Sequence, residues 1–384
     1  MHSFQHLAAP LRLFHGADCL ARLPGELDRL GSRRAIVFCG RSVASGPALA
    51  LVRDCLGEQC CGVYDGVRAH SPVDAVQAGA DALLREHADA VVALGGGSAL
   101  VTARAAAIVA AEQRPVAELC TRRLADGRLE SPRLAAKKLP QIAVLTTPTT
   151  ACVKAGSAVL DTPTRQRLAL FDPKTRAQAL FIHPELALSA PPVLALTASL
   201  NTLAMAVEGL ESAAGDPLSE GQLMQAMRLL ARALPALGRR PEDAAVRGEL
   251  MLAAVLCGLG TDHAGGGIAA ALGHALGAHC GGINGLLQSI LLPHTMRFNA
   301  SATEAHIGRV TEALGGAGAG IEAAVARVDS LLTAAVLPRR LRDAGVARVD
   351  LQHVAQAAMG DWFVQRNPRP ASQSDLLEVL HAAW

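Results

Sequence analysis

The sequence predicts an α/β domain built on a parallel sheet, followed by an all-α domain, and two patterns carry that prediction. As far as residue 187, short β-rich apolar runs alternate with amphipathic helical stretches, which is how strand–helix–strand crossovers read. Past Pro184–Pro192 the β-branched runs stop and only helical periodicities remain, broken by Gly, Pro and Asp. The expected domains are therefore 1–187 and 188–384, and a chain of 384 residues also favours two cores over one.

The elements follow in order. "RAIVFCG" (34–40) reads as a strand ending in glycine, and "ALALVRDCL" (48–56) as the helix after it. "CCGVYDGV" (60–67) is a second strand, and "SPVDAVQAGADALLREH" (71–87) is a helix opened by Ser-Pro. "ADAVVALGGGSALVTARAAAIVAA" (88–111) is strand, glycine turn and helix; "QIAVLTTPTT" (141–150) is a buried strand running into a loop. The charged stretch 121–138, "TRRLADGRLESPRLAAKK", is expected to be a solvated excursion. In the second domain "GRRPED" (238–243) and "LGGAGAG" (314–320) read as interhelical turns.

Composition narrows the function classes. Net charge is only +2 and no basic run is interleaved with aromatics, so nucleic acid is not an expected partner. The opening "MHSFQHLAAPLRLFHG" shows no signal-peptide pattern, and no uncharged apolar run reaches membrane-spanning length. The nine cysteines are scattered without a C-x-x-C pair, which fits a reducing cytoplasm rather than a disulfide scaffold or zinc knuckle. Only Cys152, in the loop after "LTTPTT", stands where a thiol could be functional.

The glycine turn carries the strongest chemical signal. Gly95, Gly96 and Gly97 follow a buried strand and let backbone approach a ligand, while the helix after them offers free N–H groups and a positive dipole end. With Ser98 they suit a dinucleotide pyrophosphate, which makes the first domain Rossmann-like. "VFCGRSVASG" (37–46) is the second candidate contact. It places Gly40 and Arg41 at a strand end where an acid would hold a ribose hydroxyl, so NADP(H) is tolerated, with Arg41 as a phosphate partner or a plain surface cation.

Taken together these segments resemble the iron-containing (group III) alcohol dehydrogenase family. "GGGSALVTAR" resembles its GGGSxxDxAK, "LTTPTTA" its PTTxGTGSE loop, "LLPHTMRFN" (291–299) its LLPHVMxxN, and "NPRPASQSDLLEVLHAAW" its closing segment. The resemblance implies the dehydroquinate synthase-like fold, NAD(P)H as cofactor, a homodimer, and Thr147, Thr149 and Thr150 as cofactor contacts. It also implies a divalent metal held by one Asp and three His, and here the chain departs. "SLNTLAMAVE" (199–208) puts Asn201 and Met205 at the first two ligand positions, and the other two fall on Ala270 and Asn284. None is a carboxylate or imidazole, so no iron or zinc is expected there. A substitute set from His263, His274 and His279 is disfavoured because helical rotation turns 274 and 279 to different faces.

Within the family the maleylacetate reductase branch compares best, sharing the lost Asp of GGGSxxD (here Val101) and the Asn at the first ligand position. Arg104, in place of the usual Lys, departs from it. Without a Lewis acid, carbonyl reduction needs hydrogen-bond donors at the oxygen and a general acid. His274, matching the family's H-x-L-G histidine, is the candidate acid, and Asn201 and Asn284 are candidate donors. Lys154 is the candidate partner for a substrate carboxylate, Met205 a substrate contact, and His294 second to His274. The expected function is a metal-independent NAD(P)H-dependent reductase of a small acidic carbonyl compound. The alternative is a diverged member with a ligand-binding or non-redox biosynthetic role.

Overall fold

A computed structural model describes residues 3–124, 128–335 and 337–384, apart from the side chains of Arg123 and Ala334. The chain forms two compact units, one of residues 9–147 and 151–191, the other of residues up to Ala8, 148–150 and 192–384.

The first unit holds strands β1 (Arg12–His15), β2 (Ala35–Gly40), β3 (Cys60–Val67), β4 (Ala90–Gly95), β5 (Arg122–Arg123), β6 (Leu129–Glu130), β7 (Gln141–Leu145), β8 (Gly156–Asp161), β9 (Gln166–Phe171) and β10 (Ala177–Ile182). Its helices are α1 (Leu23–Arg29), α2 (Arg41–Ala44), α3 (Pro47–Leu56), α4 (Val73–Arg85), α5 (Gly97–Glu112), α6 (Val116–Leu119) and α7 (Pro184–Leu188). Six strands make one fully parallel sheet in the order β1-β10-β7-β4-β2-β3. The central strands are unbroken apolar runs because helices cover both faces. On one face Val37, Val92, Val144 and Phe181 meet Leu23, Leu27, Leu49 and Val52. On the other, Gly79 of α4 lies so close to Phe38 and Ala106 that a methyl there would press on both.

All six sheet and helix segments read from the sequence in this unit are present. β1, β10 and the antiparallel hairpin β8–β9 were not anticipated. The stretch expected to be solvated is partly built in. It contains the short ladder β5–β6, and Lys138 is buried with its ammonium 2.6 Å from Glu112 Oε1 and 3.2 Å from Asp172 Oδ2.

The second unit is helical: α8 (Pro192–Glu211), α9 (Pro217–Arg239), α10 (Ala244–Ala264), α11 (Ile268–Cys280), α12 (Asn284–Ala313), α13 (Ile321–Ala334), α14 (Leu351–Ala358) and α15 (Gln373–Ala383). Both expected turns fall between helices, at 240–243 and 314–320. Helix starts are marked in the sequence: Asp216 and Ser372 form capping boxes, and the Asp243 carboxylate takes the Ala245 and Val246 N–H groups. Contrary to the sequence reading, α8 and α10 are long and apolar enough to cross a membrane. Their apolar windows are 72% and 67% buried, and they form the core of this unit.

Candidate active site

The turn after β4 has the geometry of an anion cradle. Gly95 sits at φ 148°, where side chains are strained, and a methyl on Gly96 would collide with Thr147 Oγ1. Gly96 is the N-cap of this 16-residue helix and has no side chain to bond its first N–H groups. β2 and β4 are neighbours, with Phe38 opposite Ala93, whereas β3 lies on the other side of β2. The strand order therefore reverses between β2 and β4. Gly40–Arg41 and Gly95–Ser98 leave the sheet side by side at that switch point, where α/β sheets bind ligands. These residues fit a dinucleotide phosphate. Arg41 is exposed, Thr147 and Thr149 are buried, and Thr150 starts a short turn, Thr150–Val153.

Arg104 explains its departure from the family's lysine. It is wholly buried and donates 2.7 Å hydrogen bonds to the carbonyls of Ala151 and Gly156, fastening both ends of the segment that carries half-buried Lys154. Cys152 inside that segment is buried, and burial pushes its thiol up to about 12, so it supplies no thiolate near neutrality.

In the helical unit three pairs, each one helical turn apart, occupy facing helices. Asn201 and Met205 lie on α8, Ala270 and His274 on α11, and Asn284 and Gln288 on α12. Glycines bring the helices close. A methyl on Gly285 would collide with Thr197 O and lie 3.2 Å from Asn201 Cβ. On α11, methyls on Gly273 and Gly277 would collide with Gln288 and Asn284 respectively. A methyl on Gly266 would sit 3.2 Å from Met205 Cε and 3.3 Å from Phe363 Cδ1, so the thioether lies against an aromatic wall.

His274 holds the defining contact. Its Nδ1 is 2.8 Å from Asp361 Oδ2, and Asp361 Oδ1 accepts the Phe363 N–H at 3.0 Å, which fixes the carboxylate. The Trp362 and Phe363 rings stand 6.5 and 5.9 Å from the imidazole. A carboxylate on Nδ1 favours the tautomer that carries its proton there, so any acid–base role of this ring falls to Nε2. Neither Asp361 nor Gln288 was anticipated. Gln288 stands one turn from Asn284, so helical spacing carried a signal for it; Asp361 lies 87 residues from its partner in no motif. Gln288 is fully buried, and its Nε2 and Oε1, with Asn284 Oδ1, find no hydrogen-bond partner among the described residues.

The donor set at the four expected ligand positions does not fit a dication. Ala270 ends in a methyl, Met205 offers a thioether packed on carbon, and Asn201 and Asn284 offer neutral amides. The three alternative histidines are dispersed as helical rotation requires. His279 Nε2 is 3.4 Å from Asp350, and His263 stacks on His6, so neither joins His274. His294 is half-buried on α12, and burial with Arg297 nearby holds it below its ordinary value.

Beneath the site lies a buried acid network. Glu208 Oε1 accepts the Ala269 N–H at 2.6 Å and caps α11, whose own cap, Gly267, has no side chain to do so. Burial pushes Glu208 up to about 7 and Glu211 up to about 8. Asn299 Nδ2 donates to Glu211 at 2.9 Å, and Asn367 Nδ2 donates to Asn299 at 2.7 Å. "LLPHTMRFN" and "NPRP" therefore meet at their asparagines.

The first unit carries a glycine turn at a switch point of its parallel sheet and the second an aspartate-held histidine, and comparison with known proteins identifies the family. Residues 10–184 match the model of the iron-containing alcohol dehydrogenases, and residues 195–384 that of the C-terminal part of the Fe-containing alcohol dehydrogenase family. The chain belongs to the iron-containing alcohol dehydrogenase family, an oxidoreductase family. It is 28% identical to lactaldehyde reductase of Escherichia coli K12 over 381 residues, covering 96% of this chain and 97% of that protein. It is also 28% identical to maleylacetate reductase 1 of Cupriavidus pinatubonensis over 379 residues, covering 96% and 93%. Among solved structures, a 1,3-propanediol oxidoreductase superposes with TM-score 0.92 at 24% identity, covering all of both chains. Maleylacetate reductase from Agrobacterium tumefaciens superposes at 0.82 with 25% identity, covering 100% and 99%.

Proposed function

We propose that this chain is a metal-independent, NAD(P)H-dependent reductase of a small acidic carbonyl compound, acting in the cytoplasm as a homodimer without nucleic-acid or membrane partners. The observation that carries the proposal is the His274–Asp361 pair standing among amides where the family implies metal ligands.

Gly40, Arg41, Gly95, Gly96, Gly97, Ser98, Thr147, Thr149 and Thr150 would hold the dinucleotide. Once bound, it supplies a hydride to the carbonyl carbon. His274 gives a proton from Nε2 to the carbonyl oxygen, leaving an alcohol, while Asp361 keeps the Nδ1 proton and steadies the ring as charge changes. Asn201 and Asn284 direct amide N–H groups at the oxygen in place of a Lewis acid, each such donor supplying roughly 2.7–4 kcal/mol at the transition state. Met205, Ala270 and Phe363 give that oxygen an apolar surround, in which those hydrogen bonds are strongest. Lys154 is the partner for a substrate carboxylate. The maleylacetate and lactaldehyde reductases among the relatives favour small carbonyl substrates.

The test is a titration with NADH and NADPH followed by a screen of small aldehydes and keto acids, including maleylacetate, in the presence of a chelator. Chelator-insensitive oxidation of either nucleotide supports the proposal. Tight binding of a metabolite with neither nucleotide oxidised across the screen would replace it with the non-redox reading.

A further inference from the structure

We propose that His6, Asp216 and His263 form a binding site for a zinc-class dication, separate from the four family ligand positions. Each contributes one ligand atom, and the three atoms lie within 4.8 Å of one another. Among the described residues this is the one set of three His, Cys, Asp or Glu side chains so placed. It gathers a segment near the start of the chain, the cap of α9 and the last turn of α10, all within the helical unit.

The geometry suits coordination. His6 Nδ1 is 3.0 Å from Asp216 Oδ2. Two ligands of a tetrahedral dication with bonds of about 2.1 Å stand about 3.4 Å apart, so a small widening of this pair admits an ion between them. Asp216 Oδ1 is committed to α9, accepting the Leu218 and Ser219 N–H groups at 2.8 and 3.0 Å, which leaves Oδ2 as a single preoriented donor.

The third ligand needs a local movement. The His6 and His263 rings are stacked, 3.7 Å between centroids and 18° between planes, an arrangement in which the two rings face each other rather than converge on one point. With the ligand atoms already within 4.8 Å of one another, rotation of the imidazoles is the movement that binding would require. Two imidazoles and one carboxylate select a borderline first-row ion over calcium or magnesium, with solvent completing the shell. Among residues 3–10 only His6 is not exposed, so the ion would pin a segment that this side chain already anchors.

The experiment uses the full chain, stripped with a chelator and dialysed, then titrated calorimetrically with zinc chloride and, in parallel, with cobalt(II) followed by visible absorption. The wild type is expected to take one equivalent of zinc, with thermal midpoint rising on addition. His6→Gln and His263→Gln are each expected to weaken binding by more than about tenfold, since even outer-shell partners are worth that much. Asn284→Ala is expected to leave it unchanged. No binding by folded wild type, or binding that survives both histidine substitutions, overturns the proposal. Binding lost only in Asn284→Ala would move the ion to the family position and also overturns it.

Discussion

His274 and Asp361 are 87 residues apart in sequence and 2.8 Å apart in space, and the aspartate's second oxygen is tied to the Phe363 backbone. A histidine held at Nδ1 by a carboxylate would act as an acid through Nε2. His274→Gln is therefore expected to lower kcat by about 10²–10⁴-fold, the range for losing a general acid. Asp361→Asn is expected to lower kcat on the order of tenfold or more with KM little changed, and Asp361→Glu to restore part of it. Steady-state kinetics of the three variants check this; a KM effect alone would make Asp361 structural.

The glycine cradle makes a sharper steric prediction. A side chain at Gly96 meets Thr147 Oγ1 at the point where a phosphate would approach. Gly96→Ala should weaken NADH and NADPH binding by more than about tenfold, or about 1.4 kcal/mol, measured by fluorescence titration. Unchanged affinity would take the turn out of the site.

Arg104 holds two carbonyls of the Ala151–Gly156 segment from a wholly buried position. Lysine keeps the charge but loses the fork that reaches both oxygens. Arg104→Lys should cost about 1–3 kcal/mol, read as a lower midpoint in chemical denaturation.

The buried acids give a pH dependence of definite sign. Glu208 and Glu211 titrate near 7 and 8 in the folded protein, against an ordinary 4.5. Between those values the folded chain holds more protons than the unfolded chain, so stability falls as pH rises from about 4.5 to about 8. Glu211 Oε1, which lacks a partner among the described residues, is consistent with a protonated carboxyl. Glu211→Gln should flatten the upper part of that decline in thermal melts from pH 5 to pH 9. A parallel decline in the variant would assign it elsewhere.

Much of the fold was legible because central strands buried on both faces cannot disguise themselves. "AIVFCG", "AVVALG" and "QIAVL" are continuous apolar runs, and the glycine turn announces the helix after it. β1 and β8–β9 carry exposed positions and charged residues, so their pattern is diluted. β10 is buried at five of its six positions, but it stands directly before the change to helical pattern and was read as part of that boundary. Lys138 read as solvated because its partners, Glu112 and Asp172, are 26 and 34 residues away. Motif spacing named His274, Asn201 and Asn284 as candidates, and they lie on facing helices of one unit. Asp361 was not named, since only tertiary packing brings its turn to α11.

The central claim is that amides and an aspartate-held imidazole have replaced a metal at the family position. It is tested most directly by assaying carbonyl reduction in the His263→Gln variant, which removes the second candidate ion site, before and after exhaustive chelation with elemental analysis of the same samples. The account predicts turnover unchanged by chelation, with iron and zinc far below one equivalent. Turnover that disappears on chelation and returns with one equivalent of iron or zinc would contradict it.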